Sequence, residues 1–366
     1  MATQVTNYQC PNCLAGLRFD GESGQLACDS CDNKFDVALV EQLFADKEQA
    51  AASAGTEPQW DISMTGSFSE EEAAGLRAYS CPSCAAEIIC DETTAATSCP
   101  YCGNPTVVPG QFTGQLRPDY LLPFKLEKKA AVAALKKYYK GKKFLPKNFS
   151  EANHVEEIKG VYVPFWLYDG EADAFMRFLG TRSRSYTRGD YRITETEHYR
   201  ITREGSVAFE KVPADGSSKM PDAHMDSIEP FNYGDLKPFS PAYLPGFMAD
   251  KYDEDALTCS KRANERIKAS TESVMRDTVT GYSTLTREYS RINLKSGDVK
   301  YALMPVWLLS TKWKGKNFLF AMNGQTGKLI GDLPVDRGRY WGWFFKIAAP
   351  IAAVLAALLF IGGGII

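Results

Sequence analysis

Two stretches of the chain are apolar almost without a break, and they are near-copies. Val161-Tyr162-Val163-Pro164-Phe165-Trp166-Leu167-Tyr168 is matched 141 positions later by Ala302-Leu303-Met304-Pro305-Val306-Trp307-Leu308-Leu309. Short continuous apolar runs predict strands buried on both faces. Each run follows a helical pattern, Leu126–Tyr139 and Asp253–Thr278, and each leads into alternating segments. The clearest alternation is Tyr191–Val212, where Thr194, Thr196 and Thr202 suit a pleated surface. The pattern predicts a duplicated α+β domain, helix then antiparallel strands, over residues 119–240 and 241–335. Proline inside each run predicts an edge or a bulge. Trp166 and Trp307 read as core anchors.

Ahead of this domain, Val37–Ala54 has apolar residues at helical spacing, and Ser69-Glu70-Glu71-Glu72 is a capping box opening a short helix. Residues 37–78 therefore read as a helical linker. At the other end, Ile347–Ile366 is 20 residues without a charge. Such a length matches a hydrocarbon core about 30 Å thick. A transmembrane helix is predicted over 343–366, with Trp341, Trp343, Phe344 and Phe345 at the interface. Arg337, Arg339 and Lys346 precede it, so the positive-inside rule predicts a single-pass cell-membrane protein with its N-terminal domains in the cytoplasm.

The candidate chemistry lies in cysteines. Eight of the ten form four C-x-x-C pairs: Cys10/Cys13, Cys28/Cys31, Cys81/Cys84 and Cys99/Cys102, with 14 residues between the pairs of each half. Two such pairs supply a closed tetrahedral thiolate shell, which is structural zinc chemistry. Tyr8-Gln9-Cys10-Pro11-Asn12-Cys13 recurs as Tyr79-Ser80-Cys81-Pro82-Ser83-Cys84. Residues 1–36 and 79–108 are thus predicted to be duplicated zinc ribbons holding two structural Zn2+ ions. Cys90 and Cys259 read as small packed residues.

Charge argues about partners. Residues 1–120 hold 5 Lys and Arg against 17 Asp and Glu, whereas 121–366 hold 37 against 28. Acidic ribbons are poor phosphate binders, so nucleic acid is an unexpected partner. The basic stretch Arg182, Arg184, Arg188 and Arg192 reads as a charged hairpin. His154, His198 and His224 stand near no catalytic motif, and no Gly-rich phosphate loop or nucleophile elbow is present. No catalytic residue is assigned, and the expectation is a protein that is not an enzyme.

With both cysteine quartets, Tyr162–Leu167, Thr194–His198, Val212–Asp215, Leu303–Trp307, Phe320–Lys328 and an apolar tail, the chain resembles bacterial membrane-anchored double zinc-ribbon proteins of the YdjG type. These are often named after TFIIB-type zinc ribbons. The resemblance implies a membrane adaptor that recruits proteins similar to phage-shock protein A and SPFH-type, virion-core-like proteins in envelope stress. It carries over no catalytic residue. The alternative is a nucleic-acid-binding ribbon protein linked to transcription or replication.

Overall fold

The computed structural model describes residues 8–11, 15–21, 23–53, 58–62, 66–94, 98–105, 107–110, 116–146, 149 and 157–363. Ribbon one comprises β1 (Leu17–Asp20), β2 (Gln25–Cys28) and β3 (Lys34–Phe35), followed by α1 (Val37–Ser53). Next come β4 (Trp60–Asp61), α2 (Glu70–Ala74), β5 (Leu76–Ser80), β6 (Glu87–Asp91) and β7 (Val108–Gly110). The repeats follow, with β8 (Tyr120–Leu121), α3 (Lys128–Tyr139), β9 (Lys159–Arg188) and β10 (Tyr191–Asp215). After α4 (Asp222–Ile228) and β11 (Lys237–Pro238) the order resumes with β12 (Met248–Asp250), α5 (Ala256–Asp277), β13 (Thr284–Leu294), β14 (Gly297–Trp313) and β15 (Lys316–Asn323). β16 (Leu329–Gly331) and α6 (Arg337–Gly363) close the chain.

Two compact units are present. The smaller is built from Met1–Gln59, Glu171–Ala208 and Lys268–Ser296, and the larger from Trp60–Gly170, Phe209–Ile267 and Gly297–Ile366. Neither coincides with 119–240 or 241–335. In the smaller unit β9 pairs antiparallel with β13, from Ala172↔Leu294 to Thr181↔Thr284. Met176, Phe178, Ile201, Met275 and Val279 form a core there.

The larger unit is organised by the two near-copies. β9 and β14 pair antiparallel, and Val163 stands opposite Met304, its own counterpart 141 residues on. Pro164 faces Leu303 and Tyr162 faces Pro305, so the register is reciprocal. Each copy lends its short strand to the other: β8 runs parallel to β14 (Leu121↔Leu303), and β12 runs parallel to β9 (Ala249↔Tyr162). The sheet is therefore mixed, where purely antiparallel strands were expected. This exchange ties both copies into one unit, because neither completes its sheet alone.

The prolines lie inside central strands, and the register shows how they are tolerated. Pro164 C=O accepts from Gly216 N–H (2.9 Å) and Pro305 C=O from Gly324 N–H (2.8 Å). Both bonds point away from the β9–β14 ladder, so each missing proline N–H falls on the outer side, where no ladder bond is lost. The glycines are required for the close approach. A Cβ on Gly216 would meet Trp166 Nε1 at 2.9 Å, and one on Gly324 would meet Phe124 at 2.6 Å. Gly216→Ala and Gly324→Ala are each expected to lower stability by about 1–3 kcal/mol through overpacking. Thermal unfolding of the two variants checks this, and an unchanged midpoint in both would refute the packing argument.

Trp166 and Trp307 occupy equivalent places. Trp166 Nε1 donates to Glu254 C=O ahead of α5 (2.9 Å), and Trp307 Nε1 to Leu126 C=O ahead of α3 (3.1 Å). Both indoles are buried, and each fastens a helix to the opposite copy's strand.

The tail differs from expectation. Among the described residues no helix is long and apolar enough to cross a membrane. α6 carries Arg337, Arg339 and Lys346 in its first half and Pro350 within it. Of its apolar run, side chains are described only for Ile347–Ala356. Residues 357–366 of the expected span lie outside the described side chains. The transmembrane helix over 343–366 is accordingly corrected, and with it the single-pass membrane localisation and cytoplasmic orientation built upon it.

Candidate metal centres

Four knuckles share one backbone design. Cys10, Cys28, Cys81 and Cys99 each donate their N–H to the carbonyl five residues on: Ala15 (2.6 Å), Asn33 (2.9 Å), Ala86 (2.9 Å) and Asn104 (2.9 Å). Asp32, Ala85 and Gly103 each return an N–H to the first cysteine of their knuckle (2.9, 2.9 and 3.1 Å). All three have positive φ, at 56°, 55° and 68°. Each turn bends the chain back sharply enough to bring its paired sulfurs to one point.

In ribbon two the Sγ atoms of Cys81, Cys84, Cys99 and Cys102 all lie within 4.8 Å of one another. Cys81–Cys102 and Cys84–Cys99 are 3.6 Å apart. A tetrahedron with Zn–S bonds of about 2.3 Å has edges of about 3.8 Å, whereas a disulfide would bring sulfurs to about 2.05 Å. Ribbon one assembles Cys10, Cys28 and Cys31 in the same way, with Cys10–Cys31 at 3.6 Å. Cys13, the expected fourth ligand, lies outside the described residues. The clusters are zinc sites by donor set and by spacing.

The electrostatics differ across the sites. Asn33 Nδ2 lies 3.2 Å from Cys31 Sγ, and this donor, with the Asn33 backbone N–H, lowers the Cys31 thiol to about 7. Burial opposes ionisation of Cys81, but the N–H groups of Cys84 and Ser83 outweigh it and bring the thiol to about 7. Burial pushes Cys84 up to about 11 and Cys99 higher still. Those sulfurs become thiolates only beside a cation, so metal and fold are coupled in ribbon two.

The ribbons also differ in their setting. β1–β3 form a three-stranded sheet of their own. Ribbon two is woven into the large sheet: β6 pairs antiparallel with β12 through Ile88↔Asp250 and Ile89↔Ala249. Cys81, Cys99 and Tyr101 share one core with Val161, Val163 and Met304.

The remaining candidates fall elsewhere. Cys90 and Cys259 are buried, each thiol pushed up to about 12 by burial. His198 is exposed on β10, and His154 lies outside the described residues. His224 is buried on α4, its Nε2 3.5 Å from Asp332. Among the described residues, only the two cysteine clusters gather three or more groups that could hold a metal. Arg182, Arg184, Arg188 and Arg192 lie on the exposed β9–β10 hairpin, whose rungs are Ser183–Thr196 (3.0 Å) and Ser185–Thr194 (2.8 Å). One polar centre escaped the sequence reading. Asp250 is buried and accepts from Ser217 Oγ (2.6 Å). It depends on where the three-residue strand β12 lands, and a segment that short carries no periodicity to read.

Two cysteine-knuckle ribbons joined to an intertwined strand–helix–strand repeat define a double zinc-ribbon protein. The chain is 35% identical over 361 residues, covering 98% of it and 99% of the relative, to the uncharacterized protein YdjG of Bacillus subtilis (strain 168). It belongs to the YdjG family. No family model and no solved structure matches the chain.

Proposed function

We propose that this chain is a zinc-dependent protein adaptor whose two ribbons have separate tasks. Ribbon two is part of the folded scaffold, and ribbon one is the docking head. The contrast in setting carries the reading: ribbon two's cysteines sit in the main core, while ribbon one keeps its own small sheet. Ribbon one also leaves Phe19 58% exposed on β1 and Leu39 50% exposed on α1. Around them Asp20 is paired with Lys34 (2.6 Å) and Asp29 with Arg18 (3.3 Å) on the same ribbon. An apolar contact bordered by charge-balanced ion pairs suits a partner offering an apolar patch with a polar rim. Four thiolates leave zinc no open position, which supports a structural ion. The proposed partners are those the resemblance implies, proteins similar to phage-shock protein A and SPFH-type proteins.

The test is affinity purification from cell extract, with and without nuclease, of the wild type, Phe19→Asp and Cys28→Ser. Zinc content should be two ions per chain for the first two proteins and one for Cys28→Ser. Partners of the named types should be recovered with the wild type alone, whether or not nuclease is present. Equal recovery by all three proteins would remove ribbon one from the interface. Recovery that vanishes with nuclease would favour the nucleic-acid alternative.

A further inference from the structure

The two copies are alike enough to be compared position by position, and they differ at one telling place. Trp307 packs edge-on against Phe124 (5.1 Å) just as Trp166 packs against Tyr252 (5.3 Å). In the second copy, buried Tyr301 completes the cluster, its ring 5.1 Å from Trp166 and 5.6 Å from Tyr252. The counterpart of Tyr301, 141 residues earlier, is Gly160. A Cβ there would lie 2.6 Å from Phe247. Phe247 instead lies flat on Phe124, with ring centroids 4.2 Å apart and 3° between planes. Beside these rings opens a cavity of about 450 Å3.

We propose that this cavity binds a small amphipathic anion: a flat, apolar or aromatic body bearing a sulfonate, carboxylate or phosphate. The body is argued from the walls. Phe124, Phe247 and Trp307 line it, and offset or edge contacts with flat rings are what such walls favour. The charge is argued from the rim. Among the described residues Lys125, Lys128 and Lys159 line the cavity beside one acid, Glu127, and the charge of Glu157 acts on Lys159 from nearby. Lys125 is engaged by Asp235 (2.6 Å). Lys128 is exposed at the start of α3. Lys159 donates to Ser98 C=O (2.6 Å) and to the Ser98 hydroxyl, which uses two of its three hydrogens. Among the described residues, one ammonium hydrogen of Lys159 and the whole head of Lys128 are left for a ligand. Ribbon two closes one side through Thr94, whose Oγ1 accepts from Gly246 N–H (3.0 Å).

The experiment titrates the zinc-loaded full chain with 8-anilinonaphthalene-1-sulfonate and, separately, with its uncharged relative N-phenyl-1-naphthylamine. Lys128 and Lys142 are both exposed, so Lys128→Glu and Lys142→Glu should fold as the wild type does. The expected result is saturable binding of the sulfonate, weakened about fivefold or more by Lys128→Glu at low salt, as reversing a contacting charge implies. The uncharged probe should bind both variants as it binds the wild type, and Lys142→Glu should leave the sulfonate's affinity unchanged. The proposal is overturned by unsaturable binding or by indifference to Lys128→Glu. It is equally overturned if Lys142→Glu weakens binding as much, which would put the probe on the basic surface beside α6.

Discussion

Cys99→Ser is expected to unfold the larger unit, while Cys28→Ser leaves that unit intact. The sequence alone suggests otherwise, because two ribbons of equal spacing should each unfold alone. The structure breaks the equivalence. Cys99 is 1% exposed and packs in the same core as Val161, Val163, Phe165 and Leu167. Its ribbon reaches the centre of the sheet through β5, β6 and β12. Losing a structural zinc removes on the order of 10–16 kcal/mol of apparent binding free energy, against a typical folding stability of about 5–15 kcal/mol. A serine hydroxyl in an apolar core adds a desolvation cost. Hydrogen exchange read by mass spectrometry separates the outcomes. In Cys99→Ser, amides of Val161–Leu167 and Ala302–Leu308 should exchange at unfolded rates. In Cys28→Ser they should stay protected while β1–β3 lose protection. Protection of Val161–Leu167 in Cys99→Ser would show that ribbon two is dispensable to the core.

What the sequence revealed was whatever is encoded locally or by repetition. The C-x-x-C spacing disclosed the metal clusters, because a knuckle is a turn of a few residues whose geometry is set within itself. The offset of 141 disclosed the duplication, and it survives as the pairing of Val163 with Met304. Ser69 capped α2 as its capping box predicted, with Glu72 N–H donating to Ser69 Oγ (3.2 Å). What stayed hidden depends on long-range placement. Tyr120–Leu121 and Met248–Asp250 are too short to show alternation, yet their exchange between copies makes the sheet mixed and ties both copies into one unit. Residues 79–108 look self-contained, and nothing in Ile88-Ile89 says that they will pair with Ala249 and Asp250. The tail misled because composition over 20 positions was taken as a span, whereas among the described residues no helix is long and apolar enough to cross a membrane. The cavity was legible in principle, since aligning the two copies sets Gly160 against Tyr301.

Asp250→Asn is expected to stabilise the larger unit at pH 8 and to remove a pH dependence that the wild type shows. Asp250 is 2% exposed on β12. Burial is the main influence on its carboxyl and raises it to about 7, against the opposing effects of Ser217 and the Tyr101 phenol. Lys219 is engaged by Asp253 (2.8 Å) and forms no ion pair with Asp250. In the unfolded chain an aspartate releases its proton near pH 3.9. Between that value and about 7 the folded state therefore holds the extra proton. Stability is greatest at low pH within this window and is lost as pH rises through the folded value. From pH 6 to pH 8 a group titrating at about 7 costs the folded state about 1.4 kcal/mol relative to a neutral residue. Asparagine keeps the shape, still accepts from Ser217 and does not titrate. Denaturant unfolding of both proteins at pH 6, 7 and 8, with zinc saturating so that metal loss does not intrude, measures the difference. The stability of Asp250→Asn relative to the wild type should grow by about 1 kcal/mol from pH 6 to 7 and by only about 0.4 kcal/mol from pH 7 to 8. A flat difference would mean that Asp250 is already ionised at pH 6, and that the buried carboxylate is stabilised by its neighbours far better than the Ser217 hydroxyl and the Tyr101 phenol allow.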